Sequence, residues 1–208
     1  SCIYTYDQAS NHILKLTSTN SEKLFIWKNS TSILFSSFRD EKHKERRDKG
    51  ENFTPIYEIS LNGGEPDMDF ELPLKISSMK ALDENTLIIK GLYDPEASNQ
   101  EEKKKQPYEI IDEIPFWSNG QGFTNKKRER LYLYHIDQEI LSPITDEFTN
   151  VSSYELNPDR DKMVLITSSY IDKKHPANQL QIYDFQEDSL IKISPMSSFK
   201  YSYANFLE

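Results

Sequence analysis

Glu109, Asp112 and Glu113 stand a few residues before Phe116 and Trp117. Carboxylates so placed could hold a free amino terminus of a peptide, which needs a fixed anionic partner; the competing reading is three solvated surface acids. Just beyond, Asn119-Gly120-Gln121-Gly122 is flanked by Phe116, Trp117 and Phe123. The glycines let the backbone turn sharply, and the rings offer apolar area at small cost in side-chain entropy. Such rings either meet a substrate or a packed domain, or fold back as a satellite core. Gly120-x-Gly122 is not a dinucleotide fingerprint, because position 125 is asparagine and no helix follows. Arg39, which closes an apolar run with Asp40, also has two readings: an anchor for a carboxylate, or a structural ion pair or carbonyl cap at the rim of its sheet. Asp94 and Asp172 hold the corresponding places further along.

Other chemistries find no support in the residues. None of the six glycines forms a G-x-S-x-G elbow, so the strained turn that presents a catalytic serine cannot be built from this stretch. His12, His43, His135 and His175 lie far apart without metal-ligand spacing, and neither a metal nor a cofactor is expected. A formal charge of −9 opposes broad contact with nucleic acid. The strongest basic cluster, Lys126, Lys127, Arg128 and Arg130, reads instead as a rim salt bridge to a partner domain. The mixed-sign runs Glu41–Glu51 and Glu101–Lys105 read as solvated, with local helix or disorder open for both. No pair of carboxylates on facing strands suggests glycan chemistry. Apolar stretches of four or five residues are far below the roughly 20 needed to span a bilayer, so no membrane segment is expected. The single cysteine, Cys2, cannot form an internal disulfide, which fits a reducing compartment and fits many secreted bacterial proteins as well.

The elements that must carry these residues announce themselves by repetition. Tyrosine-rich segments begin at Ile3, Ile56, Leu131 and Leu180, and apolar runs at Ile33, Leu87 and Val164. From tyrosine-rich segment to apolar run the spacing is 30, 31 and 33 residues; from apolar run to the next tyrosine-rich segment it is 23, 44 and 16. One half of the repeat is fixed and the other accepts insertions, as expected of a rigid supersecondary unit with one permissive loop.

Each tyrosine-rich segment alternates like a half-buried strand, with Ile3, Thr5 and Asp7 on one face and Tyr4 and Tyr6 on the other. Tyr57 and Tyr132 take the place of Tyr4; Ile59, Tyr134 and Tyr183 that of Tyr6. A partner strand follows through a turn at His12, Ile140 and Leu190, and another precedes each apolar run at Lys23, Lys75 and Val151. Four antiparallel strands in tandem describe the blades of a propeller. The fold expected is all-β, a partial β-propeller of about three complete blades plus part-blades at each end, with a complete open β-sandwich as the alternative. Residues 1–20 end one blade, 21–73, 74–149 (with the long insertion) and 150–197 form blades, and 198–208 open the next. Such a segment calls for further sequence to close its ring, or else pairs through its edges with another copy.

These residues resemble the prolyl oligopeptidase family, specifically its acylaminoacyl peptidase and dipeptidyl-peptidase-like members. The stretch from Ile33 to Pro66 is similar to the family's passage from a serine-rich strand ending in Arg-Asp, through a charged loop, to a tyrosine strand and Gly-Gly-Glu turn. The stretch from Ile114 to Asp137 is similar to its aromatic, Asn-Gly-x-Gly-aromatic, basic, Leu-Tyr passage. The resemblance implies a TolB-like propeller placed before an α/β-hydrolase domain, a cytoplasmic serine peptidase whose propeller restricts access of peptide substrate. Substrate or domain contacts are then expected among Arg39, Glu113, Phe116, Trp117, Asn119, Gly120, Gly122 and Phe123. The rival is a TolB-like or WD-repeat-type scaffold that binds protein. The variable loops, residues 39–55, 93–130 and 172–179, are expected on one side of the disc.

Overall fold

A computed structural model describes residues 1–95, 108, 110–120, 122–194 and 199–207. The strands are β1 (Tyr4–Asp7), β2 (His12–Lys15), β3 (Lys23–Trp27), β4 (Ser32–Ser36), β5 (Thr54–Ser60), β6 (Asp67–Leu72), β7 (Lys75–Ala81), β8 (Thr86–Tyr93), β9 (Trp117–Ser118), β10 (Gly122–Phe123), β11 (Arg128–His135), β12 (Ile140–Pro143), β13 (Thr149–Leu156), β14 (Lys162–Ser169), β15 (Gln179–Asp184) and β16 (Ser189–Lys192); helix α1 is Glu41–Asp48. They form three four-stranded sheets, β3-β4-β5-β6, β7-β8-β11-β12 and β13-β14-β15-β16, with β1-β2 and β9-β10 as two-stranded hairpins. The fold is all-β, a partial propeller, and no tyrosine-rich strand pairs with another.

The apolar runs take the second position in each sheet because both of their faces are covered. All of β4 is buried, as are Met163 to Ser168 of β14. A strand buried on both sides reads as a continuous hydrophobic run rather than an alternating one. The tyrosine-rich strands come third, and a fixed hairpin follows three of them. Asn11, Glu139 and Asp188, each eight residues after the start of its segment, adopt φ of 53°, 54° and 45°. Ile3 N–H donates to Thr17 Oγ1, Leu131 N–H to Thr145 Oγ1 and Leu180 N–H to Ser194 Oγ, at 2.9, 3.2 and 2.9 Å. The repeat is thus written in its polar staples as well as its core. After β5 a longer turn through Gly63 and Gly64, both at positive φ, delays β6.

Contacts divide the chain into two compact units, Ser1–Gly91 with Tyr132–Ser142, and Leu92–Leu131 with Pro143–Glu208. In the first, one face of the β3–β6 sheet packs Ile33, Phe35, Tyr57 and Ile59 against Ile3 and Leu16 of the β1-β2 region. The other face packs Leu34, Ile56 and Leu72 with Leu87, Ile89 and Tyr134. Face-to-face stacking of successive sheets is what a propeller requires.

The charged run 41–51 resolves in favour of helix. His43 of α1 is buried, its Nδ1 lying 3.1 Å from the Tyr57 hydroxyl and its ring 5.8 Å from that of Phe53. Arg46 grips both oxygens of Glu71 on β6, at 2.6 and 2.9 Å, and covers Phe53. The guanidinium hydrogen bonds hold the Glu71 carboxyl below its ordinary value of 4.5. A carboxylate depressed in the folded state contributes stability that is present above its unfolded value and lost as the pH falls through its folded one. Thermal melts from pH 6 to pH 3 are therefore expected to show a loss that Glu71→Gln reduces by about 0.5–1 kcal/mol, the scale of a partly exposed ion pair.

One expected strand is absent. Residues 199–207, expected to open another blade, carry no strand; Ser198 and Glu208 lie outside the described residues. Instead of a neighbouring strand, the buried Asn178 side chain serves the backbone of Tyr201, donating to its C=O and accepting from its N–H, both at 2.7 Å. The run 101–105 also lies outside the described residues.

Candidate functional site

In each four-stranded sheet the variable loop joins the second strand to the third, and the largest, between β8 and β11, carries most of the expected site residues. Its described residues 110–120 and 122–126 are fixed from below by a buried charge pair. Arg128 and Arg130 begin β11 two residues apart and so share a face. Arg128, the largest of the fully buried side chains, donates from Nη1 to Glu113 Oε1 at 3.1 Å and from Nη2 to Glu113 Oε2 at 2.5 Å. Its remaining hydrogens reach the carbonyls of Lys127, Phe148 and Tyr170 at 2.9, 3.1 and 3.0 Å, and the guanidinium lies 3.8 Å over the Tyr170 ring. Glu113 Oε1 also accepts the Lys126 N–H at 3.3 Å.

Glu113 is therefore neither a solvated surface acid nor an open anion: both oxygens are spent on Arg128, with the side chain fully covered. A short parallel bridge adds to the clamp, with Ile114 N–H donating to Asp172 O and Lys174 N–H to Ile114 O, both at 2.8 Å. Burial, then the charges of Lys200 and Arg128, lower the pKa of Lys174, and burial raises that of Tyr170.

The rest of the basic cluster is spent inside its own unit. Lys126 pairs with Asp112, whose carboxyl it holds below the usual range; Lys127 pairs with Asp94 at 3.1 Å; Arg130 donates from Nε to Thr145 O at 2.9 Å and lies 4.7 Å from the Tyr93 ring centre. This corrects the reading of these residues as a salt bridge to a partner domain. A loop that returns to its own strand supplied the counter-charges, and the alternation of Arg128 with Arg130 was the signal that both heads turn one way.

On this clamped base stands the small β9-β10 hairpin, in which Phe123 is opposite Trp117. Asn119 and Gly120 lie in its turn, and Gly120 and Gly122 have φ of 79° and 72°, where a side chain would be strained. The aromatics do not fold into a satellite core. Phe116, Trp117 and Phe123 are 39%, 51% and 47% exposed, and Ile110 and Ile114 are exposed beside them in sequence. Glu109 and Gln121 lie outside the described residues.

Arg39 belongs to the other unit. It pairs with Glu65 at 2.5 Å and lies 5.5 Å from the Tyr57 ring centre, the geometry of a structural ion pair. Asp40 accepts the Tyr57 hydroxyl at 2.7 Å, so the Asp40, Asp94 and Asp172 positions all serve the loop roots: one through a tyrosine, one through Lys127 and one through its backbone carbonyl. Among the described residues no group of three or more His, Cys, Asp or Glu could hold a metal ion, and no helix is long and apolar enough to cross a membrane.

No family model and no curated protein matches the chain. Solved structures do. Acylaminoacyl peptidase from Pyrococcus horikoshii matches with a TM-score of 0.62 at 13% identity over 96% of this chain and 28% of its own. TolB from Acinetobacter baumannii matches with a TM-score of 0.51 at 13% identity over 95% of this chain and 38% of its own. The tricorn protease matches with a TM-score of 0.54 at 11% identity over 93% of this chain and 19% of its own. The class so defined is the propeller fold found in the propeller regions of these peptidases and in TolB. At these identities the likeness is one of fold, and the chain spans well under half the length of each.

Proposed function

We propose that this chain is a non-catalytic propeller segment of a cytoplasmic serine peptidase, which controls the entry of peptide substrate and packs against an α/β-hydrolase domain of the same polypeptide. The observation that carries the proposal is the Trp117–Phe123 hairpin, exposed aromatic surface held on a loop whose base is tied by a buried ion pair. Rigid, solvent-facing rings lose little entropy when they are covered, which suits a surface that meets a peptide or a domain. The same surface suits the second reading, a protein-binding scaffold, which the likeness to TolB favours.

Two measurements test this. In the encoded polypeptide, a G-x-S-x-G element followed by Asp and His beyond residue 208 supports the peptidase, and a stop codon soon after it rejects that reading for the scaffold. In the intact protein, replacing Trp117 and Phe123 together by serine is expected to lower kcat/KM for oligopeptides about tenfold, the cost of one or two exposed aromatic contacts, while hydrolysis of a small blocked amino-acid ester changes less than about twofold. Equal loss on both substrates overturns the gating role. Peptide turnover by residues 1–208 alone rejects both readings.

A further inference from the structure

Asparagine precedes glycine at two places in the chain, Asn62-Gly63 and Asn119-Gly120, and in both the asparagine is exposed and lies in a turn. The pairing carries its own chemistry. Glycine has no Cβ to screen its backbone nitrogen or to restrict its dihedrals, so that nitrogen can approach the side-chain carbonyl carbon of the residue before it. Every other asparagine is followed by a residue with a side chain.

The structure separates the two pairs. Gly63 N–H donates to Ser60 O at 3.0 Å and Asn62 N–H to Ser60 Oγ at 3.2 Å, so the backbone on both sides of the Asn62 side chain is held. That turn joins β5 and β6, strands of seven and six residues. Among the described residues the Gly120 N–H has no acceptor, and its turn joins β9 and β10, of two residues each. A Cβ added at Gly63 or at Gly120 would meet nothing within 4 Å, so crowding does not distinguish them; hydrogen bonding and ladder length do. A hairpin of two pairs opens at a small cost in free energy, and opening lets the Gly120 nitrogen turn toward Asn119.

We propose that Asn119 is a site of spontaneous modification, closing on the Gly120 nitrogen to form a succinimide that water opens to aspartate and isoaspartate. The Gly120 nitrogen loses its proton and bonds to Asn119 Cγ; the bond from Cγ to Nδ2 breaks, and ammonia leaves with that proton. Water then adds to one of the two ring carbonyls. Cleavage at Cγ returns the normal chain with an aspartate; cleavage at the backbone carbonyl leaves the chain running through Cγ. In both products a carboxylate stands where the amide was, at the tip of the hairpin that bears Trp117 and Phe123. In the second the loop between the paired residues Ser118 and Gly122 is longer by one methylene, which disturbs the register that sets Phe123 opposite Trp117. The chemistry is the same whether the rings meet a peptide or a packed domain.

The test incubates the 208-residue chain at neutral pH, folded and in denaturant, and maps aspartate and isoaspartate by mass spectrometry with backbone fragmentation. In the folded chain Asn119 is expected to convert about tenfold or more faster than Asn62; in denaturant, where neither turn exists, the two rates are expected to agree within about twofold. No conversion at Asn119, or equal rates at both sites in the folded chain, overturns the proposal. The same ratio in denaturant would place the cause in the flanking residues and overturn it too. Hydrogen exchange follows the hairpin at Thr124, whose N–H donates to Phe116 O at 2.8 Å. The isoaspartyl fraction, collected by ion exchange, is expected to lose about tenfold or more of the protection there, and Asn119→Asp, which has the charge without the methylene, less than about twofold. Full protection in the isoaspartyl fraction, or equal loss in Asn119→Asp, overturns the change of register.

Discussion

Glu113→Ala is expected to lower the unfolding free energy by about 3–5 kcal/mol, because it leaves the Arg128 guanidinium buried without its counter-charge. Arg128 keeps hydrogen bonds to the carbonyls of Lys127, Phe148 and Tyr170, which satisfy its N–H groups but do not neutralise its charge. The ring of Tyr170 compensates only in part. Denaturant unfolding measures the loss, and hydrogen exchange at Lys126 and Ile114 locates it, since their amides hang on the clamp. Glu113→Leu combined with Arg128→Met is expected to recover most of the stability, as apolar replacements of buried ion pairs commonly do. A loss below about 1 kcal/mol in Glu113→Ala would mean that water reaches the guanidinium and that the bridge at Ile114 does the holding.

This pair also marks where the sequence stops being readable. The sheets were legible because a strand buried on one face must alternate and a strand buried on both cannot; the runs at Ile33, Leu87 and Val164 and the tyrosine segments show the two patterns side by side. Equal spacing then assigned the order within each sheet. Glu113 and Arg128 are 15 residues apart, joined by a returning loop, and nothing in the periodicity of polar residues says which carboxylate a cation will meet. The outer strand β6 was hidden for a related reason, since the turn at Asn62 to Gly64 moves it off the ten-residue spacing of its counterparts. Helix α1 lacks an apolar stripe; it is decided by a single buried ring, His43, and by Arg46 reaching Glu71, both tertiary events. The exposed hairpin was half legible: Gly120 and Gly122 announced the sharp turn, but whether the rings point outward depends on the clamp beneath them.

Phe35→Ala is expected to cost about 3–5 kcal/mol, the range for removing a fully buried phenylalanine. Phe35 stacks on Tyr57 with ring centres 6.0 Å apart and belongs to the cluster that joins Ile3 and Leu16 to the face of the β3–β6 sheet. Its loss should therefore release the β1-β2 hairpin before the sheet itself unfolds. Hydrogen exchange separates these events: the amides of Thr5 and Leu16 are expected to lose protection at lower denaturant than those of Leu34 and Ile56, whose cluster lies on the opposite face. Phe35→Leu, which keeps most of the volume, is expected to cost less than about 1.5 kcal/mol and to preserve the common transition. If both sets of amides are released together in Phe35→Ala, the two faces of the sheet belong to one cooperative core, and stacking of separable β modules is the wrong description of what holds this chain together. Where the hairpin meets the β3–β6 sheet through one apolar face, that interface is expected to yield before the sheet does, beginning with the hairpin.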